Sequence, residues 1–565
     1  MGSDAPPQKI FSRNSSGLVR EISTSQAFIY NFMAIGFYGF TWATLFSVGY
    51  TSSFLGANVG LAIVLMAISA IPFYLSTSML SSAMPRAGGD YVWQSRVLHP
   101  SIGFASTFSA WTVWQWYFAS FLGVVMTTVG YQPLFALLGI TNSGDANIAG
   151  QLAAGYGQYD NTPVFIITTL IVLFGFAIAA LGIRFYVRLQ YLLFAGSGVS
   201  ALTLLGVLAT SSNATFISKL NALAVPLINA GNQSQINMTS VSAAGGYYDC
   251  IIKTAAFPSS SFSLGNTLLL FGIIWISFGY AFWSIYNLGE IKKAGNLKNQ
   301  AIMQIGSSLV FAIFLLALWA LLENVIGVPF LHAFFNLYGA NDPSTFPLAG
   351  FFTPYYPALV AAISSSPAIW GLILIGATFG IFQVILIVYF ASTRIMLAAS
   401  LDRVLPERLS YVTSKTHSPL VALVVSAIGC EAFLYLIVYQ YSSLGYFSTA
   451  GLATQIAYIL ISITAIVFPY TKRKIYEASP AAKYRIGGLP VLTLAGVLSL
   501  IVNLFIAYIF IAGPALGFLS ISTSGSIEFI VGIFLACFIV YWIAYGVRKS
   551  QKIDLSLSFA EVPPE

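Results

Sequence analysis

Twelve apolar runs divide this 565-residue sequence, and all but two of its 24 Lys and Arg residues fall in every second gap between them. The runs cover residues 27–50, 57–81, 102–130, 163–183, 189–210, 265–288, 302–326, 368–392, 419–440, 446–470, 489–513 and 526–547. A hydrocarbon core is roughly 30 Å thick and a helix rises about 1.5 Å per residue, so each run can span it. Lipid offers the backbone no hydrogen-bond partner, which confines spanning segments to helices or closed barrels. Runs of this length without alternation predict an all-α integral membrane protein of about twelve transmembrane helices.

The basic residues orient the spans. Lys9, Arg13 and Arg20 precede the first run, and the others fill the gaps after runs 2, 4, 6, 8, 10 and 12, leaving only Lys219 and Lys253 on the opposite side. The positive-inside rule then places both ends of the chain in the cytoplasm, with a tail at 1–26 and another at 548–565. Charged residues make up 7% of the chain against a hydrophobic share of 58%, because a charge at a helix centre costs about 2.5–3.5 kcal/mol. The net charge of +7 is spread over seven segments; it reads as topology and gives no nucleic-acid footprint. The first run is too long for a signal-peptide apolar region and lacks a cleavage pattern. Cys250, Cys430 and Cys537 have neither metal nor redox spacing. His99, His332 and His417 fall in three separate predicted loops, so no metal site and no catalytic pair is expected.

Two gaps on the predicted outer face are large. Residues 211–264 are expected to form an external loop, and they carry acceptor patterns for glycosylation at Asn213, Asn232 and Asn237. Residues 327–367 hold Phe330, Phe334, Phe335, Phe351, Phe352, Tyr355 and Tyr356 with hardly any charge. An apolar segment of that kind is expected to lie on the protein.

Two spans contain glycines at corresponding places. The first reads Gly36-Phe37-Tyr38-Gly39-Phe40-Thr41-Trp42 and the sixth Ser277-Phe278-Gly279-Tyr280-Ala281-Phe282-Trp283. Glycine-interrupted spans in matching halves point to discontinuous helices around a midplane site. The connection after the second run reads Pro85-Arg86-Ala87-Gly88-Gly89-Asp90-Tyr91, and closely resembles the signature of the amino acid/polyamine/organocation (APC) transporter superfamily. Ser392-Thr393-Arg394 through Pro406, and Gly289-Glu290-Ile291-Lys292-Lys293, resemble two further hallmarks of that superfamily, so the likeness extends over roughly residues 20 to 550.

That resemblance implies a leucine-transporter-like 5+5 inverted repeat plus two peripheral helices. The first repeat would be 27–210 and the second 265–470, with the last two helices and the cytoplasmic loop before them in 471–547. It further implies that amides at Gly36, Phe37, Tyr38 and Gly39 hold a substrate carboxylate, while carbonyls at Ser277, Phe278, Gly279, Tyr280 and Ala281 hold its ammonium. A half-helix end carries about half an elementary charge and unpaired backbone groups, which suits both roles. Trp275 or Phe278 would be the aromatic gate, with Trp114, Tyr117 and Thr378 as further pocket candidates. Met79 stands where the superfamily often has an acid, and no acid follows Gly279. The expected substrate is therefore a neutral, apolar or aromatic, amino acid, carried by a secondary permease of the plasma membrane without cofactor.

A proton or sodium ion is the candidate coupling partner. The fifth run has no ionisable residue between Leu189 and Thr210, whereas Glu431 lies near mid-span in the ninth run and is the candidate proton site. Thr378 alone is a poor basis for a sodium site. Lys292 and Lys293 are expected on a solvated or headgroup face. The alternative is a transporter-like sensor or surface glycoprotein that binds a solute or partner without net flux. Such sensors usually append long cytoplasmic extensions, and both predicted tails are short. An enzyme or a channel is disfavoured by the lack of a catalytic or filter motif.

Overall fold

The structure, a computed structural model, describes residues 16–36, 54–152, 161–230, 241–242, 244–256, 260–340, 355–439, 445–512 and 524–560. Eleven helical segments among these are long and apolar enough to cross a membrane. The chain is an all-α multi-pass membrane protein, with one two-stranded hairpin pairing Arg485–Ile486 with Leu489–Pro490 among the described residues. The first expected run is described only through Gly36, so Phe37, Tyr38 and Gly39 lie outside the described residues, as do Asn232 and Asn237.

Helix α1 spans Thr24–Ala34 and starts on a reciprocal cap between Ser23 and Gln26. Helix α2, Val59–Ala83, is capped by the Asn58 side chain. Helix α3, Asp90–Val97, lies in the following connection. The next span is helical from Pro100 to Leu138 but changes pitch on the way: α4 is Pro100–Phe108, a π turn covers Ser109–Val113, and α5 is Trp114–Val125. Helices α6, Thr162–Ala180, and α7, Ile183–Ala209, follow. Regular helix then runs over Phe271–Phe278 as α8, gives way to a turn at Gly279–Phe282, and resumes as a 3₁₀ segment at Trp283–Glu290. The remaining long helices are α9, Ser307–Val325; α10, Pro367–Leu401; α11, Leu420–Tyr439; α12, Gly445–Thr471; α13, Val491–Ala512; and α14, Ser524–Ser550.

Helix α10 is the axis of the bundle, buried almost without interruption from Gly376 to Ser400 and packed along α5, α6 and α7. The outer helices instead present Leu170, Leu202, Ile313 and Ile543 outward. Apolar surface of that extent needs lipid around it.

The structure corrects several expectations. Helix α10 continues to Leu401 and carries Arg394 into the core, because Glu290 neutralises it there. Helix α7 starts at Ile183, so Arg184 and Arg188 ride on its first turns, exposed, with Arg184 paired to Glu21. The gap at 211–264 holds helices at Asn213–Ala230 and Tyr247–Ala255. Asn213 donates its Nδ2 to the carbonyls of Val325 (3.0 Å) and Ile326 (3.4 Å), the very nitrogen a glycan would need. His332 lies on a helix, Val328–Ala340, and burial lowers its pKa to about 4. The described part of the aromatic outer segment lies on the protein: Phe330, Phe334, Tyr355 and Tyr356 are buried, and Phe330 stacks on Tyr248 at 4.6 Å, while Phe351 and Phe352 lie outside the described residues.

Candidate functional site

The interruption after α8 is built from its backbone outward. Gly279 caps α8, and a Cβ there would sit 2.8 Å from the Tyr458 hydroxyl and 3.0 Å from the Trp275 carbonyl. Tyr458 of α12 uses that hydroxyl to donate to the Gly279 carbonyl at 2.9 Å. The Ala281 amide donates to the Tyr74 hydroxyl of α2 at 3.4 Å, and the Ser284 amide donates to Asn31 Oδ1 of α1 at 2.8 Å. Three neighbouring helices thus supply side chains to backbone groups that a continuous helix would have paired within itself. Asn31 also donates its Nδ2 to the Met303 carbonyl at 2.9 Å, just before α9.

Helix α1 stops close by. Gly36 adopts φ +74°, a left-handed conformation that glycine reaches without steric cost, and its amide donates to the Met33 carbonyl at 2.9 Å. Asn31, one turn earlier, makes α1 and the interruption after α8 neighbours in space.

Aromatic rings close over the turn. Trp111 meets Tyr458 (5.3 Å between centroids), Phe282 (5.7 Å), Trp283 (5.9 Å) and Tyr280 (6.3 Å). Phe73 meets Tyr458 (5.1 Å), Phe282 (5.2 Å) and Trp275 (5.7 Å). Of the two gate candidates, Trp275 stands on the aromatic side of the turn, whereas Phe278 packs onto Phe311 of α9 at 5.2 Å. Ser277 and Ala281 are buried in the same stretch.

The other sequence candidates are scattered. Trp114 packs on Phe529 of α14 (5.6 Å) and Tyr117 on Phe433 of α11 (5.9 Å), both on the outer side of their span. Thr378 returns its hydroxyl to the Ile375 carbonyl of its own helix at 2.7 Å. Glu431 accepts from Thr169 at 3.0 Å in the contact between α11 and α6. Trp111, rather than Trp114, packs over the turn, because the π turn inserts extra backbone before α5 and rotates the following residues around the helix. Tyr74 and Tyr458 gave no sequence signal, being two tyrosines among 31. Asn31 gave one, as an amide inside an apolar run.

The end of the bundle that carries the basic connections is locked by buried ion pairs. Arg394 binds Glu290 through two bonds, Nε to Oε2 at 3.0 Å and a terminal nitrogen to Oε1 at 2.8 Å, with both side chains fully buried. The Glu290 carbonyl accepts from the amides of Glu21 (2.8 Å) and Ile22 (2.9 Å), tying down the segment before α1. Arg96 of α3 binds Asp402 at 2.7 Å, and Tyr91 donates to the same carboxylate at 3.0 Å. Lys292 and Lys293 stay exposed.

Gly88 and Gly89 explain why α3 fits here. Their φ values are +93° and +52°, and a Cβ on either would meet Ala398 or Ile285 at 2.6 Å. Only glycine lets this connection lie flat on both α10 and the 3₁₀ segment.

The sequence model of a family described as "Amino acid permease" matches residues 22–534. No curated protein matches the chain.

Proposed function

The chain belongs to the amino acid permease family, and from that premise we propose that it carries neutral amino acids by alternating access, binding them where α1 and α8 stop. The family makes it a transporter of amino acids in a membrane. The observation that carries the finer reading is the turn at Gly279–Phe282, whose backbone is held by Tyr458, Tyr74 and Asn31 and roofed by Trp111 and Phe73.

The chemistry suits a zwitterion. The C-terminal end of α8 presents the negative pole of its dipole to an ammonium, and backbone amides beyond Gly36 would meet the carboxylate. The rings around the turn favour an apolar or aromatic side chain, which they can surround at low entropic cost. The side chains that hold the backbone of the turn, Tyr458 and Tyr74, are uncharged, which favours a neutral substrate over a cationic one.

In this reading residues 27–210 and 265–470 are the two repeats. The buried pairs Arg394–Glu290 and Arg96–Asp402 form the cytoplasmic gate, both ends of the chain lie in the cytoplasm, and the membrane is the plasma membrane. Counterflow in proteoliposomes tests it: protein loaded with single unlabelled amino acids should take up labelled leucine when the internal amino acid is neutral, and not when it is arginine or a polyamine.

A further inference from the structure

We propose that Asp90 is a proton-binding site that latches the aromatic wall of the substrate site: its anion holds Trp111 in place, and protonation releases the ring. This deepens the reading of the Gly279 turn as the substrate site and rests on it for the consequence, though not for the protonation itself.

Asp90 is the first residue of α3 and is fully buried. Its Oδ2 accepts from Gln94 Nε2 (2.9 Å), Trp111 Nε1 (3.2 Å) and Thr107 Oγ1 (3.3 Å). Its Oδ1 has no hydrogen-bond partner of normal geometry. The carboxyl is therefore one hydrogen bond away from the indole that packs on Tyr280, Phe282 and Tyr458.

Among the described residues no cation neutralises it. The groups that face it are Gln94 on α3, Thr107 on α4, Trp111 on the π turn, Tyr286 on the 3₁₀ segment and Tyr458 on α12. The nearby charges are committed elsewhere: Arg96 of α3 to Asp402, and Arg394 of α10 to Glu290. His99, capping α4, binds Ser101, and the short helix Ser556–Ala560 packed on α3 has no charged residue. Burial without a counter-ion pushes the Asp90 carboxyl up to about 7, with Tyr286, Trp111, Thr107 and its own amide offsetting part of the rise.

A carboxylate accepts hydrogen bonds roughly twice as strongly as a neutral acid. Protonation therefore weakens the Trp111 bond and frees a ring that Tyr280 and Phe282 share with the turn. Glu431, the acid that the sequence suggests, cannot do this from its contact with Thr169 between α11 and α6.

Infrared difference spectroscopy of the full chain in nanodiscs, titrated from about pH 5 to about pH 9, reads the protonated carboxyl stretch directly. We expect a band that titrates near 7, is missing in Asp90→Asn and persists in Glu431→Gln. Trp111→Phe removes a donor that stabilises the anion, so it should move the midpoint upward; this variant keeps the carboxyl and decides the matter if Asp90→Asn does not fold. An unchanged band in Asp90→Asn, no band near neutrality, or an unmoved midpoint in Trp111→Phe would overturn the site. In leucine counterflow at equal pH on both sides, wild type should be about tenfold faster at about pH 6 than at about pH 8, the ratio of protonated fractions around a midpoint near 7. Asp90→Asn should be equally fast at both. A pH dependence that survives in Asp90→Asn overturns the latch. A titrating Asp90 band with no exchange of any amino acid upholds the proton site and overturns the substrate reading instead.

Discussion

Asn31 donates to Met303 and accepts from Ser284, so one amide in the first span joins α1 to the 3₁₀ segment and to the approach of α9. Removing it would leave the buried Ser284 amide without its partner, at a cost of about 1–3 kcal/mol, and would take one of two side-chain donors from the Met303 carbonyl, which keeps the Ser307 hydroxyl at 2.7 Å. Asn31→Ala should therefore lower the melting temperature of the detergent-solubilised protein by several degrees, while Asn31→Asp, which can still accept from Ser284, should fall less. Equal melting of Asn31→Ala and wild type would contradict the bridge. An amide in an apolar run is visible in the sequence, but its partners, at separations of 253 and 272 residues, are not. The same holds for Glu290 and Arg394: both are plainly charged residues beside runs, and only the fold shows that they neutralise each other in the core.

At the scale of the element, hydropathy located the eleven spans that the described residues carry, and the glycine of the sixth run falls at the turn after α8. Pitch was hidden. The π turn at Ser109–Val113 turns Trp111 toward Phe282 and Tyr458 and sends Trp114 out to Phe529, and no spacing rule for an ideal helix picks out that rotation. Trp111→Ala should therefore abolish or severely reduce leucine counterflow, whereas Trp114→Ala should keep most of it at equal expression. The reverse order would place the site on the other face of α5. The Gly88–Gly89 connection was legible as a motif before its reason was known; the reason is a backbone laid against Ala398 and Ile285 with no room for a Cβ. At 211–264 the polar, Ser- and Asn-rich sequence hides helices whose apolar side packs on neighbouring outer helices, as Phe216 does against Tyr248 and Phe330.

At the scale of the molecule, the charge asymmetry along the sequence agrees with the geometry at one end of the bundle. The segment before α1 pairs with Ile291, and the helix Ser556–Ala560 reaches Arg96 through Ser558, so both lie at the end that holds the ion pairs. The proposed orientation, with that end in the cytoplasm, rests on its basic residues. In a Cys250→Ser background, a cysteine at exposed Tyr484 should react with an impermeant maleimide only after the membrane is opened, and one at exposed Ser212 should react from outside in intact cells. Labelling of Tyr484→Cys in intact cells would invert the topology and with it the gate.

Counterflow of labelled leucine against a panel of internal amino acids, run for wild type and Gly279→Val side by side, bears most directly on the central claim. Uptake should appear with neutral amino acids inside and vanish in Gly279→Val at unchanged expression, because the added side chain enters the space held by the Tyr458 hydroxyl and the Trp275 carbonyl. Wild-type uptake in Gly279→Val, or exchange confined to arginine and polyamines, would contradict a neutral substrate bound at this turn.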